Sequence, residues 1–286
     1  MTDFSGAGAA GRANRALESL HAMIYFAPEA DEEYQRVGLK RGRMGYFASR
    51  SAAMGPVSPG VVTATFYNFH PGLVAHNIPR AWTLASTDDV LAARYTAVDR
   101  ALRRLLGDAV DAPELGELAA LTRAATEDLP AHGRPLFAAH TELPWPDAPH
   151  LVLWHAATLL REFRGDGHLA ALLDGELSGL EALITHCATG HGFTEPAAKA
   201  SRGWSEDEWN TCVDALRDRG ILDGSGLTAG GVALRDSVER TTDRLSAAPW
   251  THLGAERTGR VVELGTAFSR QLAANGAWPD GVFANR

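Results

Sequence analysis

The sequence predicts a mainly helical protein with a minimal β hairpin, built from two copies of one unit, and three observations lead there. Apolar residues recur at three and four spacing over most of the chain, which is the signature of helix. Strand-like pattern is confined to one short Gly-rich stretch. A run of residues near the N-terminus returns in the second half.

Taken in order, the periodicity predicts helices over 17–26, 151–163, 206–219, 227–245 and 255–274. Ser178 and Ser205 are placed to open helices, Asp166 suits an N-cap with Arg164 able to pair with it, and a short helix is expected over 168–173. The stretch Gly220-Ile221-Leu222-Asp223-Gly224-Ser225-Gly226-Leu227 reads as a stunted hairpin, with Thr228 placed to cap the helix after it. Residues 1–11 are small and polar and are expected to be disordered. The prolines of 143–149 forbid a continuous helix and mark a linker, so the expected units are 12–147 and 148–286.

The repeat rests on Leu17-x-x-x-His21-Ala22, which matches Leu151-x-x-x-His155-Ala156 without a gap. Further matches keep the same order: Arg41-Gly42 with Arg164-Gly165, Val57-Ser58 with Leu177-Ser178, and Trp82 with Trp204. One insertion, near 28–36, interrupts the agreement. Two such halves are expected to pack about a pseudo-twofold axis, with the central helices near it, as a monomer or a homodimer.

Composition narrows the function. The 286 residues carry 27 Lys and Arg against 35 Asp and Glu, a formal charge of −8, which is a poor start for neutralising many phosphates. Cys187 and Cys212 are the only cysteines and no CxxC surrounds them, so neither a disulfide framework nor a Cys-rich zinc site is expected. The first residues lack the apolar core of a signal peptide, and no run approaches the roughly 18 apolar residues of a membrane span. A cytoplasmic protein with no membrane partner is the expectation.

In the second copy the predicted order is a buried helix, a short helix, a helix opened by Ser178, an insertion, a helix opened by Ser205, the hairpin and a long amphipathic helix. This is the winged helix-turn-helix order. With Tyr46-Phe-Ala-Ser-Arg50, Thr63-Ala-Thr-Phe-Tyr-Asn68 and Trp154-His-Ala-Ala157, the chain resembles an actinobacterial family of uncharacterised tandem helix-turn-helix proteins, distantly like the MarR-type regulators. The resemblance spans nearly the full length and implies a fold, but no one activity. In the recognition position stands Ser205-Glu206-Asp207-Glu208, whose acids would repel a duplex. Its first-half counterpart, opened by Ser86, also starts with acids, although Arg100, Arg103 and Arg104 cluster near its end. Duplex DNA is therefore not expected as a partner, and a ligand-responsive MarR-like regulator is kept as the alternative.

Chemistry concentrates at two places. His21 and His155 repeat on helices that are otherwise apolar. A lone imidazole there is commonly a satisfied core group, but a pseudo-twofold could bring both to one cavity as acid/base groups or as ligands for haem. Tyr46, Arg50, Phe66, Tyr67, Asn68 and His70, with Trp154 and Arg161 from the second copy, have the composition of an apolar pocket with a few orienting groups. An aromatic core with Asn68 and His70 capping a turn explains the same residues. The function expected is binding of a largely apolar small molecule or organic cofactor, haem among the candidates, between the two halves, with catalysis left open. Gly6-x-Gly8-x-x-Gly11 has no strand before it and cannot present a helix end to a dinucleotide, and no GxSxG elbow or Walker loop is present.

Overall fold

The computed structural model describes residues 6–224 and 226–284. Fifteen α-helices, four short 3-10 helices and two short strand pairs account for the regular structure among them. The first half holds α1 (Gly6–Ala22), α2 (Pro28–Arg36), α3 (Arg43–Ser51), α4 (Pro59–Phe66), α5 (Pro71–Asn77), α6 (Thr87–Leu106), α7 (Pro113–Ala125) and α8 (Pro135–Thr141). The second holds α9 (Pro149–Asp174), α10 (Gly179–Cys187), β1 (Gly192–Phe193), α11 (Glu195–Arg202), α12 (Glu206–Asp218), β2 (Leu222–Asp223), β3 (Gly226–Leu227), α13 (Ala229–Leu245), α14 (Ala248–Leu253), α15 (Ala255–Ala274) and β4 (Phe283–Ala284).

Local chemistry sets where these helices start. Proline occupies the first turn of α2, α4, α5, α7, α8, α9, α11 and α14, where its missing N–H costs nothing. Ser58, Ser86, Ser178 and Ser205 each accept a hydrogen bond from the third backbone N–H of the helix they open, and Glu181 and Glu208 complete capping boxes on α10 and α12. Thr228 caps α13 as expected, by accepting from the Gly231 N–H.

Two expectations are corrected. Helix α1 begins at Gly6, inside the segment read as disordered, because Ala9, Ala10 and Ala13 are small enough to be buried as α1 packs along α15. The helices expected over 151–163 and 168–173 are one 26-residue helix, α9; nothing between them breaks the ladder, since Gly165 and Gly167 tolerate helical backbone. Asp166 does cap a helix, but at a distance: its carboxylate accepts from Phe137 N–H at the start of α8 at 2.9 Å, while Arg164 pairs with Asp243 and Glu239.

The main core runs across both halves. It unites Leu17 and Leu20 of α1, Phe47 of α3, Leu102 of α6, Leu118 of α7 and Trp154 of α9 with Leu253, Phe268 and Leu272 near the C-terminus. The segment 178–227 has a separate small core, in which Leu183 and Ile184 of α10, Ala198 of α11, and Trp209 and Leu216 of α12 meet Ile221 and Leu222. This is the winged helix: α10, α11 and α12 followed by the β2–β3 hairpin, in which Leu222 pairs with Leu227 and Asp223 with Gly226. Its first strand, β1, pairs antiparallel with β4, so that Phe193 lies opposite Phe283. No helix among the described residues is long and apolar enough to cross a membrane.

Candidate ligand site between the core and the winged helix

A cavity of about 340 Å³ opens where α1, α3 and α9 of the main core face β1 and α11 of the winged helix. Its walls are aromatic: Tyr25, Phe26, Tyr46, Phe193, Trp278 and Phe283. The β1–β4 pairing lays Phe283 against Phe193 at 5.0 Å between ring centroids and against Phe26 at 5.5 Å. Three arginines, Arg43, Arg161 and Arg202, enter this apolar space, and Glu18 is the one carboxylate among the lining residues. Arg161 lies 3.9 Å from Glu18, whereas Arg43 and Arg202 have no carboxylate partner among the described residues. Burial lowers the pKa of both arginines from the ordinary guanidinium value, the sign of cations held away from water.

Beneath the cavity floor lies a buried ion pair. Arg50 Nη2 donates to both oxygens of Glu162 at 3.0 Å, and Arg161 Nη1 donates to Glu162 Oε1 at 3.1 Å. Arg50 Nη1 also donates to the Tyr46 hydroxyl at 2.9 Å, and its guanidinium stacks 4.4 Å from the Phe66 ring centroid. Burial alone would raise the Glu162 carboxyl, but Arg50 and Arg161 hold it far below the usual carboxylate range. Tyr46 shows the same contest: burial favours its neutral form, and Arg50, Arg202 and Arg161 together pull it below the ordinary phenol value. Two arginines sharing one glutamate leave this floor cationic in a chain whose net charge is −8.

A second chamber of about 420 Å³ adjoins the first. Tyr46, Arg161, Arg202 and Glu18 line both, and Arg50, Phe66, Asn68, Arg164, His168 and Glu239 are among those lining the second alone.

Of the residues the sequence singled out, Tyr46, Arg50, Phe66, Asn68 and Arg161 meet at these two spaces. The rest do not. His21 is fully buried behind Tyr25, with Nε2 2.9 Å from the Tyr25 hydroxyl and Nδ1 3.1 Å from the Thr158 hydroxyl. His155 projects elsewhere, because it follows Trp154 on the same helix and so points about 100° away. Its Nδ1 is 2.5 Å from the Tyr95 hydroxyl, its ring packs on Trp145, and its buried Nε2 has no partner among the described residues. The matched segments do lie together, since Trp154 stacks on His21 and donates to its carbonyl at 3.2 Å, but the two imidazoles do not face a common cavity. Haem ligation in these chambers does not fit: both His21 nitrogens are engaged, and neither imidazole lines either chamber. Trp154 is core. His70 caps α5, and Tyr67 turns outward to donate to the Leu177 carbonyl at 2.5 Å.

Sequence reasoning missed Tyr25, Arg43 and Arg202. The first two were accessible: Tyr25 lies four residues after His21, and Arg43, Tyr46 and Arg50 share one face of α3. Arg202 carried no signal, because no motif marks the stretch between Thr185 and Trp204.

The fold defines a class, the mainly helical helix-turn-helix proteins. The model of a helix-turn-helix family matches residues 10–279, and the chain belongs to that family. Comparison with curated proteins and with solved structures returned no match. Membership corrects the expectation that DNA is not a partner, since the helix-turn-helix is a duplex-reading motif. The acids that argued against it are largely occupied within the protein. Glu208 bonds back to Ser205 and meets His70 Nε2 at 3.1 Å, and Glu206 pairs with Lys199 at 2.7 Å. They stand at the helix N-terminus, where negative charge is stabilising.

Proposed function

We propose that the protein is a ligand-responsive helix-turn-helix protein which holds an apolar, aromatic organic acid in the cavity and has duplex DNA as the partner of its winged helix. The observation that carries this reading is the pair of uncompensated arginines, Arg43 and Arg202, facing an aromatic-walled space beside Arg161. Arg43 and Arg202 are both half-buried, and a partly desolvated cation without a counterion is costly; an incoming carboxylate offsets that cost while its ring fills the apolar wall.

Support for a response comes from Arg202, which is shared by the cavity and by a clasp that fixes the winged helix to the core. In this clasp, residues 67–70 meet the winged helix through hydrogen bonds. Arg202 Nε donates to Asn68 Oδ1 at 3.3 Å, Trp204 Nε1 donates to the Asn68 carbonyl at 3.0 Å, and the His70 N–H donates to the Arg202 carbonyl at 2.9 Å. The approach is close enough that a side chain at Gly179 would collide with the Tyr67 carbonyl. A ligand that reorients Arg202 therefore acts on the mounting of α11 and α12.

The test is calorimetric. 2-Naphthoate is expected to bind and its neutral isostere 2-naphthamide is not, with Arg43→Met weakening 2-naphthoate at least tenfold. Equal binding of both, or of neither, contradicts the reading. Duplexes selected from a random pool report on the second partner: 2-naphthoate should change their affinity, and failure to select any duplex removes the DNA arm.

We also read the two halves as copies of one unit, supported by Ser58 and Ser178, and Ser86 and Ser205, opening helices in the same order. Because the main core draws on both, neither 12–147 nor 148–286 is expected to fold when expressed alone; a well-folded half would count against this. The unpaired Cys187 and Cys212 fit a reducing cytoplasm.

A further inference from the structure

We infer that the two chambers form one bipartite site, in which the second takes a neutral, polyhydroxylated arm of the bound aromatic acid, so that the full ligand is an aryl glycoside. The inference rests on the proposed aromatic-acid reading of the first chamber and adds what lies beyond it.

The chambers share Glu18, Tyr46, Arg161 and Arg202 as lining residues, yet their walls differ in kind. In the first, aromatic rings surround Arg43 and Arg202, which have no carboxylate partner among the described residues. In the second, the charges not shared with the first are paired. Arg50 is bound to Glu162 through both carboxylate oxygens, and Arg164 lies 2.6 Å from Asp243 and 3.2 Å from Glu239. A phosphate or second carboxylate placed here would meet Glu162 and Glu239 as well as the arginines, and would have to break existing pairs to gain its own. Away from the Arg202 that it shares with the first, the second chamber is thus a poor anion site.

What it offers is a mixture of fixed donors and acceptors. His168 and His186 both line it, and both are neutral. His168 is held down at about 3 by burial and by Arg235, Arg164 and His186, and His186 is lowered by burial and by Arg235. A neutral imidazole presents one donor and one acceptor. The Thr242 hydroxyl, 2.8 Å away, takes His168 Nδ1, which leaves Nε2 for a ligand. Arg50 lines the chamber with its guanidinium already engaged by Glu162 and the Tyr46 hydroxyl, which holds that wall in place. Glu239, half exposed at the rim, supplies carboxylate acceptors, and Asn68 supplies an amide. Alternating donors and acceptors, locked in place by ion pairs, match vicinal hydroxyl groups, each of which both donates and accepts. The volume of about 420 Å³ is ample for one hexose.

The experiment compares 4-hydroxybenzoate with its 4-O-β-D-glucoside, galactoside and riboside by calorimetry on the full chain. At least one glycoside is expected to bind tenfold or more tightly than the parent acid. Glu239→Gln and His168→Leu should each remove that gain and leave the parent acid unchanged, and retention of parent affinity shows that the variants are folded. If the parent acid binds and no glycoside improves on it, the second chamber is not an arm of the site and the inference fails while the aromatic-acid reading stands. If neither the acid nor any glycoside binds, both fall.

Discussion

Helices α6 and α12 start alike and end in opposite roles. Each is opened by a serine whose hydroxyl accepts from the third N–H, Ser86 from Asp89 at 3.1 Å and Ser205 from Glu208 at 3.2 Å, and each has acids in its first turn. Yet α6 buries nine residues along its 20, including Arg94, whose Nη1 donates to the Ser49 carbonyl at 2.6 Å. In contrast, α12 buries only Trp209 and Leu216, and leaves Asp207, Asn210, Thr211 and Asp214 exposed. The basic cluster at the end of α6 is spent on neighbours: Arg100 pairs with Glu32 and Glu33, Arg104 with Glu29, and Arg103 with Asp99. Three of those acids, Glu29, Glu32 and Glu33, lie on α2. Capping chemistry fixes where a helix begins, and whether it reads a partner or fills a core is decided by what later packs on it. Only the second half keeps an open recognition face.

If the first half is truly core, acid should find it first. His140 and His155, both in contact with that core, are pushed down to about 4 by burial, and His168 to about 3. In the unfolded chain these imidazoles titrate near 6.5. A depressed folded value means the unfolded state binds more protons below pH 6.5, so stability present at neutral pH is lost as pH falls toward 4. Each group removes about 1.4 kcal/mol per pH unit in that window. Asp166, raised to about 6 by burial, works in the opposite direction and offsets part of the slope. The melting temperature measured from pH 7.5 to 4 should therefore fall steeply below pH 6.5; a flat profile would mean the imidazoles are hydrated.

Glu162 joins the regions, and its removal is the next largest effect. Glu162→Gln leaves Arg50 and Arg161 facing each other without a buried carboxylate, a loss of about 3–5 kcal/mol in a urea titration. A change below about 1 kcal/mol would show that water or an ion already compensates the arginines.

A matched pair sharpens the contrast between the helices themselves. Leu102→Ala in α6, where the side chain is 1% exposed, should cost about 2–5 kcal/mol. Asn210→Ala in α12 should stay within about 0.5 kcal/mol and alter duplex affinity instead. Comparable stability losses would erase the distinction drawn above.

Much of the fold was legible because it is written in local signals. Ser178, Ser205, Thr228 and the Gly220 to Leu227 stretch announced the winged helix by caps and turn residues, and the apolar stripe of 151–163 announced a buried helix. The site was legible only in part. Tyr46, Arg50, Phe66 and Asn68 cluster in sequence, so composition exposed them. Arg202 and Phe283 reach the cavity through the tertiary mounting of α11 and the β1–β4 pairing, which no spacing encodes. The histidines misled for a related reason. Leu-x-x-x-His-Ala recurs on α1 and α9, which pack together, but the direction of each imidazole depends on its neighbours: Tyr25 and Thr158 for one, Tyr95 and Trp145 for the other.

The central claim is that the cavity and the winged helix share Arg202, so that filling one is felt by the other. The indole N–H of Trp204, which donates to the Asn68 carbonyl within the clasp, reports on this directly. Its ¹⁵N-correlated resonance, assigned with Trp204→Phe, should shift or broaden as 2-naphthoate saturates the cavity, and should stay in place with 2-naphthamide. A cavity shown to be saturated by calorimetry while the Trp204 signal remains unmoved would contradict the account.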